Sequence, residues 1–195
     1  MRAIRLAAPA IAAVMLFAAN VEAETLQLSP ANPQPNAEEL AQGLAVTYAY
    51  PPEVKSIRDA EHWLGGARKV GPPLSGLHYI DTRKGDKVMT SEKATRVAAE
   101  ITGYVRFERA GAHKIEFFSN DGVSAELGGQ EVAWYDGRHP CNSAGYQDVS
   151  VPEPGWYELK IIYFQRLETA CLLMKWDGGE GGMAWAQDDV FAYRK

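Results

Sequence analysis

The chain alternates apolar and polar positions with a period of two over most of its second half. Tyr104-Val105-Arg106-Phe107-Glu108 sets Val105 and Phe107 between charges, and Ile115 and Phe117 share a face of the stretch His113–Phe118. Tyr157, Leu159, Ile161 and Tyr163 fall on one side of residues 157–165, and Leu172, Met174 and Trp176 on one side of 170–176. This period belongs to strands with one buried face. Further strands are predicted at Leu44–Tyr50 (stopped by Pro51-Pro52), Leu77–Ile80, Ala99–Glu108, Val123–Leu127, Glu131–Tyr135 and Asp189–Tyr193. Residues 53–76 carry turn residues and little periodicity, Glu92–Val97 allows a helical turn, and Asp177–Gly182 reads as a glycine-rich loop. Short strands with turns every 8–12 residues predict an all-β fold, a single antiparallel sandwich or barrel.

The N-terminus follows another rule. Arg2 and Arg5 precede an uncharged apolar run, Leu6–Ala19, and Val21-Glu22-Ala23 places small residues at −3 and −1 of a cleavage site. Residues 1–23 therefore read as a signal peptide, the alternative being an uncleaved anchor. The run is shorter than the roughly 20 residues a membrane span needs, and no cysteine near the cleavage site supports a lipid anchor. The expectation is an exported protein, periplasmic or secreted, soluble after cleavage. About 170 residues then remain, enough for one domain with a sizeable core. Residues 24–43, with Pro30, Pro33 and Pro35, read as an extended linker followed by a short helix over 37–42 capped by Asn36, and 44–195 as the domain.

Net charge is −5, with no basic cluster, which argues against a nucleic-acid partner. Cys141 and Cys171 are the two cysteines. Export favours one disulfide between them, worth about 3–4 kcal/mol in the chain-entropy model, and two buried thiols are the alternative. Two distant cysteines make no zinc site. Hydrolase signatures are missing too: no Gly-x-Ser-x-Gly elbow, no His-Glu-x-x-His helix, no phosphate-cradling glycine loop. The four histidines (His62, His78, His113, His139) are scattered, and the Asp121/Asp136 pair is too ordinary to mark a glycosidase. The chain reads as no enzyme.

Two segments concentrate polar chemistry. Ser119-Asn120-Asp121-Gly122 reads first as a hairpin turn, since Asn, Asp and Gly tolerate positive φ, the alternative being a Ca²⁺ site built on carboxylate and amide oxygens. Residues 132–146 gather Trp134, Tyr135, Asp136, Arg138, His139 and Asn142 in one predicted loop. Aromatic faces stack on sugar rings, and Asp and Asn bond vicinal hydroxyls, so Trp134, Tyr135, Asp136 and Asn142 are the candidate carbohydrate contacts. The same residues also read as two aromatics split between core and surface beside solvated polar groups.

An ordered set of segments resembles the protective-antigen fourteen-kilodalton (PA-fourteen, PA14) domain family: Gly103-Tyr104-Val105, Gly111, Phe118-Ser119-Asn120-Asp121-Gly122, Leu127-Gly128-Gly129 with Val132, Val151–Phe164 and Ala170–Trp176. The resemblance runs from about Gly103 to Trp176, more weakly back to Leu44 and on to Tyr193. It implies a β-sandwich associated with carbohydrate binding. In the adhesins of that family two adjacent aspartates joined by a cis peptide hold Ca²⁺, which coordinates sugar hydroxyls. The matching positions are Asn120 and Asp121, so one carboxylate is an amide here. The implied function is an exported, lectin-like binding module, Ca²⁺-assisted, with a glycan or polysaccharide as partner. The alternative is a structural or protein-interaction domain of the cell envelope, with an envelope protein as partner.

Overall fold

The computed structural model describes residues 25–178 and 182–195. Residues 1–23, read from sequence as a signal peptide, lie outside them. Within them the chain is all-β apart from one short helix and two 3-10 turns. In chain order the elements are β1 (Leu26–Gln27), β2 (Leu40–Gln42), β3 (Ala45–Ala49), α1 (Ile57–Leu64), β4 (Lys69–Val70), β5 (His78–Tyr79), β6 (Val97–Phe107), β7 (Gly111–Asn120), β8 (Val123–Leu127), β9 (Gln130–Tyr135), β10 (Asn142–Val151), β11 (Gly155–Gln165), β12 (Cys171–Trp176), β13 (Ala184–Trp185) and β14 (Phe191–Arg194).

Two sheets form a sandwich of the PA14 type. One runs β1-β10-β7-β12-β13 with β5 on β12; the other runs β2-β14-β6-β11-β8-β9 with β3 and β4 attached through β6. Pairing is antiparallel except β1 on β10. The longest ladder pairs all of β11 with all of β6, from Gly155↔Phe107 to Gln165↔Val97. Its alternation sends Val105, Phe107, Tyr157, Leu159, Ile161 and Tyr163 into the core, where Ile115, Phe117, Leu172 and Met174 of the facing sheet meet them. At roughly 25 cal/mol per Å² of apolar surface removed from water, these side chains dominate the fold's stabilisation.

The alternation breaks at the end of β11. Ile162 and Phe164 face outward yet are buried, because α1 lies over them. Ile57, Ala60 and Leu64 of the helix, with Ala49, Val54 and Ala98, make a second small core. The spacing i, i+3, i+7 gives α1 one apolar stripe, and Ser56 caps it by accepting the Asp59 N–H at 3.1 Å. A segment read from sequence as irregular is thus helical. With eight residues it offers too few periods to announce itself, and its tertiary contacts hold it.

The proline-bearing stretch joins both sheets: β1 pairs with β10, and β2 pairs with β14. The helix expected over 37–42 is a single 3-10 turn, Ala37–Glu39, with no side-chain bond from Asn36 to its backbone, and the chain continues directly into β2. The expected loop over 132–146 is also divided. β9 runs to Tyr135 and β10 begins at Asn142, so residues 136–141 alone form the loop. Cys141 and Cys171 are joined in a disulfide with Cα atoms 5.8 Å apart, tying this loop to the start of β12.

Candidate functional site

At one end of the sandwich three connections converge: the β7–β8 turn at 120–122, the β9–β10 loop at 136–141 and the β11–β12 loop at 166–170. The turn is tight because Gly122 sits against the Phe164 ring; a Cβ there would stand 2.4 Å from Cε1. The Asn120–Asp121 peptide is cis. Both residues are buried, at 7% and 2% exposure.

Asp121 is the centre of this end. Its N–H donates to the Phe164 carbonyl (3.1 Å), and its Oδ2 accepts the Arg166 N–H (2.7 Å). Burial pushes its carboxyl above the ordinary carboxylate range, opposed by backbone N–H bonds from Arg166 and His139 and by the positive charges of His139 and Arg138. The buried carboxylate therefore links all three connections. Gln165 lies between the two residues that bond Asp121.

Thr169 holds two amides. Its hydroxyl accepts the Asn120 Nδ2–H (2.9 Å), and its carbonyl accepts the Gln165 Nε2–H (3.1 Å). The backbone oxygen of Asn120 accepts the hydroxyl of Tyr163, a fully buried phenol whose pKa desolvation raises well above its ordinary value. Gln165 is wholly buried, and its Oε1 has no hydrogen-bond partner. A buried amide oxygen left unpaired costs about 1–3 kcal/mol, so it marks a place prepared for a donor or a cation. Sequence reasoning missed Gln165, Thr169 and Tyr163. The one signal available was a glutamine closing the apolar run Ile161–Phe164 at the end of β11.

The four candidate sugar contacts are not one cluster. Trp134 and Tyr135 are neighbours on β9 and point to opposite faces. Trp134 is 52% exposed, whereas Tyr135 packs against the core and stacks on His139 with ring centroids 3.5 Å apart. Asp136 is committed to backbone: its Oδ1 accepts the N–H of Ile57 (2.8 Å), at the start of α1, and of Gly137 (2.7 Å). Asn142, exposed, accepts the N–H of Ser143 (2.9 Å) and pairs in register with Ser119, next to the Asn120 turn. Arg138 is exposed on the same loop, and its charge acts on Asp121. His113, on the other hand, is buried against Phe107 far along β7, with Nε2 at 3.0 Å from the Arg109 carbonyl, and contributes to packing.

Solved structures share this architecture. The PA14 domain of the MpAFP antifreeze protein is similar over 82% of this chain and 93% of its own, with 14% identity and a TM-score of 0.67. The PA14 sugar-binding domain of an RTX adhesin is similar over 78% of this chain and 99% of its own, with 16% identity and a TM-score of 0.62. The A domain of epithelial adhesin 9 from Candida glabrata, solved in complex with Galβ1-3GlcNAc, is similar over 88% of this chain and 97% of its own, with 11% identity and a TM-score of 0.66. No protein-family model and no curated protein matches the sequence. The chain has a PA14-type fold, and several domains with that architecture bind sugars. Among the described residues no helix is long and apolar enough to cross a membrane.

Proposed function

We propose that this chain is an exported, non-catalytic carbohydrate-binding module that works from the three-connection end, with Ca²⁺ assisting. The observation that carries the reading is the buried Gln165 Oε1 without a partner, its amide held by the Thr169 carbonyl and its two chain neighbours bonded to Asp121. Among the described residues no group of three or more acidic, histidine or cysteine side chains is placed to hold a metal ion. The donors here are mostly neutral: the Asp121 carboxylate and the amide oxygens of Asn120 and Gln165. Hard oxygen donors of this kind suit Ca²⁺, and a single carboxylate places the site at the weak end of the affinity range. When bound, the ion supplies a coordination point for vicinal hydroxyls. Thr169 fixes both amides through their NH₂ groups, so that their oxygens face away from it. Arg138, Asn142 and the exposed face of Trp134 are the rim that orients a sugar. Export rests on the N-terminal segment and is supported by the Cys141–Cys171 disulfide, which suits an oxidising compartment.

One observation favours the second reading, a structural or protein-interaction domain of the envelope. Asp121 already accepts two backbone N–H groups, and Asp136 two more, so both carboxylates also serve as ties between loops. A glycan array probed with the mature protein, first with Ca²⁺ and then with chelator, separates the readings. Glycan binding that chelator abolishes supports the first. An empty array in the presence of Ca²⁺, with a stable protein partner in pull-down, selects the second.

A further inference from the structure

A second recess lies away from these loops, at the opposite end of α1. The helix has eight residues and rises about 1.5 Å per residue, so its C-terminus stands about 12 Å from the Ile57 N–H that Asp136 holds. There Tyr50, His62, Trp63, Gly65, Gly66 and Ala67 line an open cleft of about 550 Å³, within the ~300–1,000 Å³ that small-molecule sites span. Gly65 follows the helix with ordinary φ of −71°, and a Cβ on Gly66 would meet nothing nearer than the Trp63 carbonyl at 3.6 Å. The backbone does not require glycine at Gly66. What glycine does there is leave the cleft open.

We propose that this cleft binds a neutral pyranose ring, independently of the loop site. Three features select that ligand. Trp63 is exposed and presents an indole with only one ring contact, edge-on to His62 at 5.6 Å; a flat aromatic surface of this kind stacks on the C–H face of a sugar. Hydrogen-bonding groups of both senses stand unspent. Among the described residues the Trp63 Nε1–H has no acceptor, and the Tyr50 hydroxyl accepts the Glu92 N–H (3.1 Å) and keeps its own proton to donate. The carbonyls of Glu61 and Trp63 are taken by the N–H groups of Gly65 and Gly66, and the others in the last helical turn have no downstream partner. A ligand with vicinal hydroxyls, each donor and acceptor, satisfies both kinds. Finally, most of the charge around the cleft is already engaged: Lys69 pairs with Glu92 and Arg68 with Glu100, while Lys93, which keeps its charge, lies over the Tyr50 ring at 5.1 Å. No carboxylate or cation lines the cleft itself among the described residues, so a neutral ligand fits its lining.

The test uses the full mature chain, isotopically labelled, titrated with β-lactose, cellobiose and maltose while the Trp63 indole N–H and the Gly65 and Gly66 amides are followed by NMR. At least one disaccharide should shift all three signals. Trp63→Ala should weaken that binding about tenfold, the loss of one stacking contact. Gly66→Leu should abolish it with an unchanged thermal midpoint, so loss of fold is not mistaken for loss of site. The same shifts should persist in Asp121→Ala and in chelator, which separates this site from the loop site whatever becomes of the latter. Absence of shifts with all three sugars overturns the proposal, as does binding that survives Gly66→Leu. Shifts caused instead by a phenylalanine-containing peptide reassign the cleft to a protein partner.

Discussion

At the scale of single residues, the loop end depends on which polar atoms are spoken for. Asn120 and Asp121 were legible in the sequence because Asn-Asp-Gly between two strands is both a turn signal and an oxygen-donor cluster. Gln165 and Thr169 were not. One reads as a strand terminus and the other as a loop residue, and only the fold brings Thr169 onto Asn120 and Gln165 onto Thr169. Thr169→Val keeps the shape and removes the acceptor of the Asn120 amide, and a stranded donor costs about 1–3 kcal/mol. Urea denaturation should show a loss in that range, and the stabilisation gained from added Ca²⁺ should shrink. A valine variant as stable and as Ca²⁺-responsive as the parent would refute the anchoring role. Asp136 is the converse lesson. Its carboxylate looked like a sugar contact, yet it holds the first N–H of α1. Asp136→Ala should therefore lower stability by about 1–2 kcal/mol. A variant that unfolds at the parental urea concentration but no longer binds glycan would restore the sequence-based role.

Among the elements, strands with one buried face announced themselves. β6, β7, β8, β11 and β12 stand within a few residues of their predicted spans, since period-two alternation follows directly from burying one side of a pleat. Besides the two- and three-residue strands β1, β2, β4 and β13, two longer elements escaped. β10 carries polar residues on both faces for most of its length and has no alternation to read. α1 is short, although β11 held an indirect sign of it: Ile162 and Phe164 interrupt the alternation, and apolar residues on a strand's outer face require a cover. Tyr48 on β3 shows how such packing becomes pH dependence. Its ring is buried, and its hydroxyl lies 2.8 Å from that of Thr90. Burial pushes its pKa from 10.0 up to about 12. The folded chain thus retains a proton that the unfolded chain releases above pH 10, so this stabilisation is complete below pH 10 and is lost as pH rises through about 12. The gap corresponds to about 3 kcal/mol. Thermal melts between pH 9 and 12 should show the midpoint falling, with a shallower fall in Tyr48→Phe; equal slopes would contradict the assignment. Tyr163, also raised, accounts for the residual slope in the phenylalanine variant.

On the scale of the molecule, the two sheets form a rigid platform that gathers its loops at one end, and the disulfide fastens the loop that carries Arg138 and His139 to β12. The sandwich was legible because its evidence is repeated along the whole chain. The site was legible only in part, because its members come from three connections distant in sequence and because two of the four expected sugar contacts, Tyr135 and Asp136, are engaged by the fold itself. α1 links the two recesses, its start held by the loop site and its end forming the walls of the cleft, so a polysaccharide crossing the molecule would meet both. The central claim is that glycan engages the loop end through Asp121 and its neighbours. It is tested most directly by mapping amide shift changes across the labelled protein on adding, in Ca²⁺, the glycan an array selects. The account predicts the largest changes in residues 119–122, 136–142 and 165–170, and their disappearance in Asp121→Ala. Changes confined to the outer sheet faces, or a map unaltered by that substitution, would contradict it.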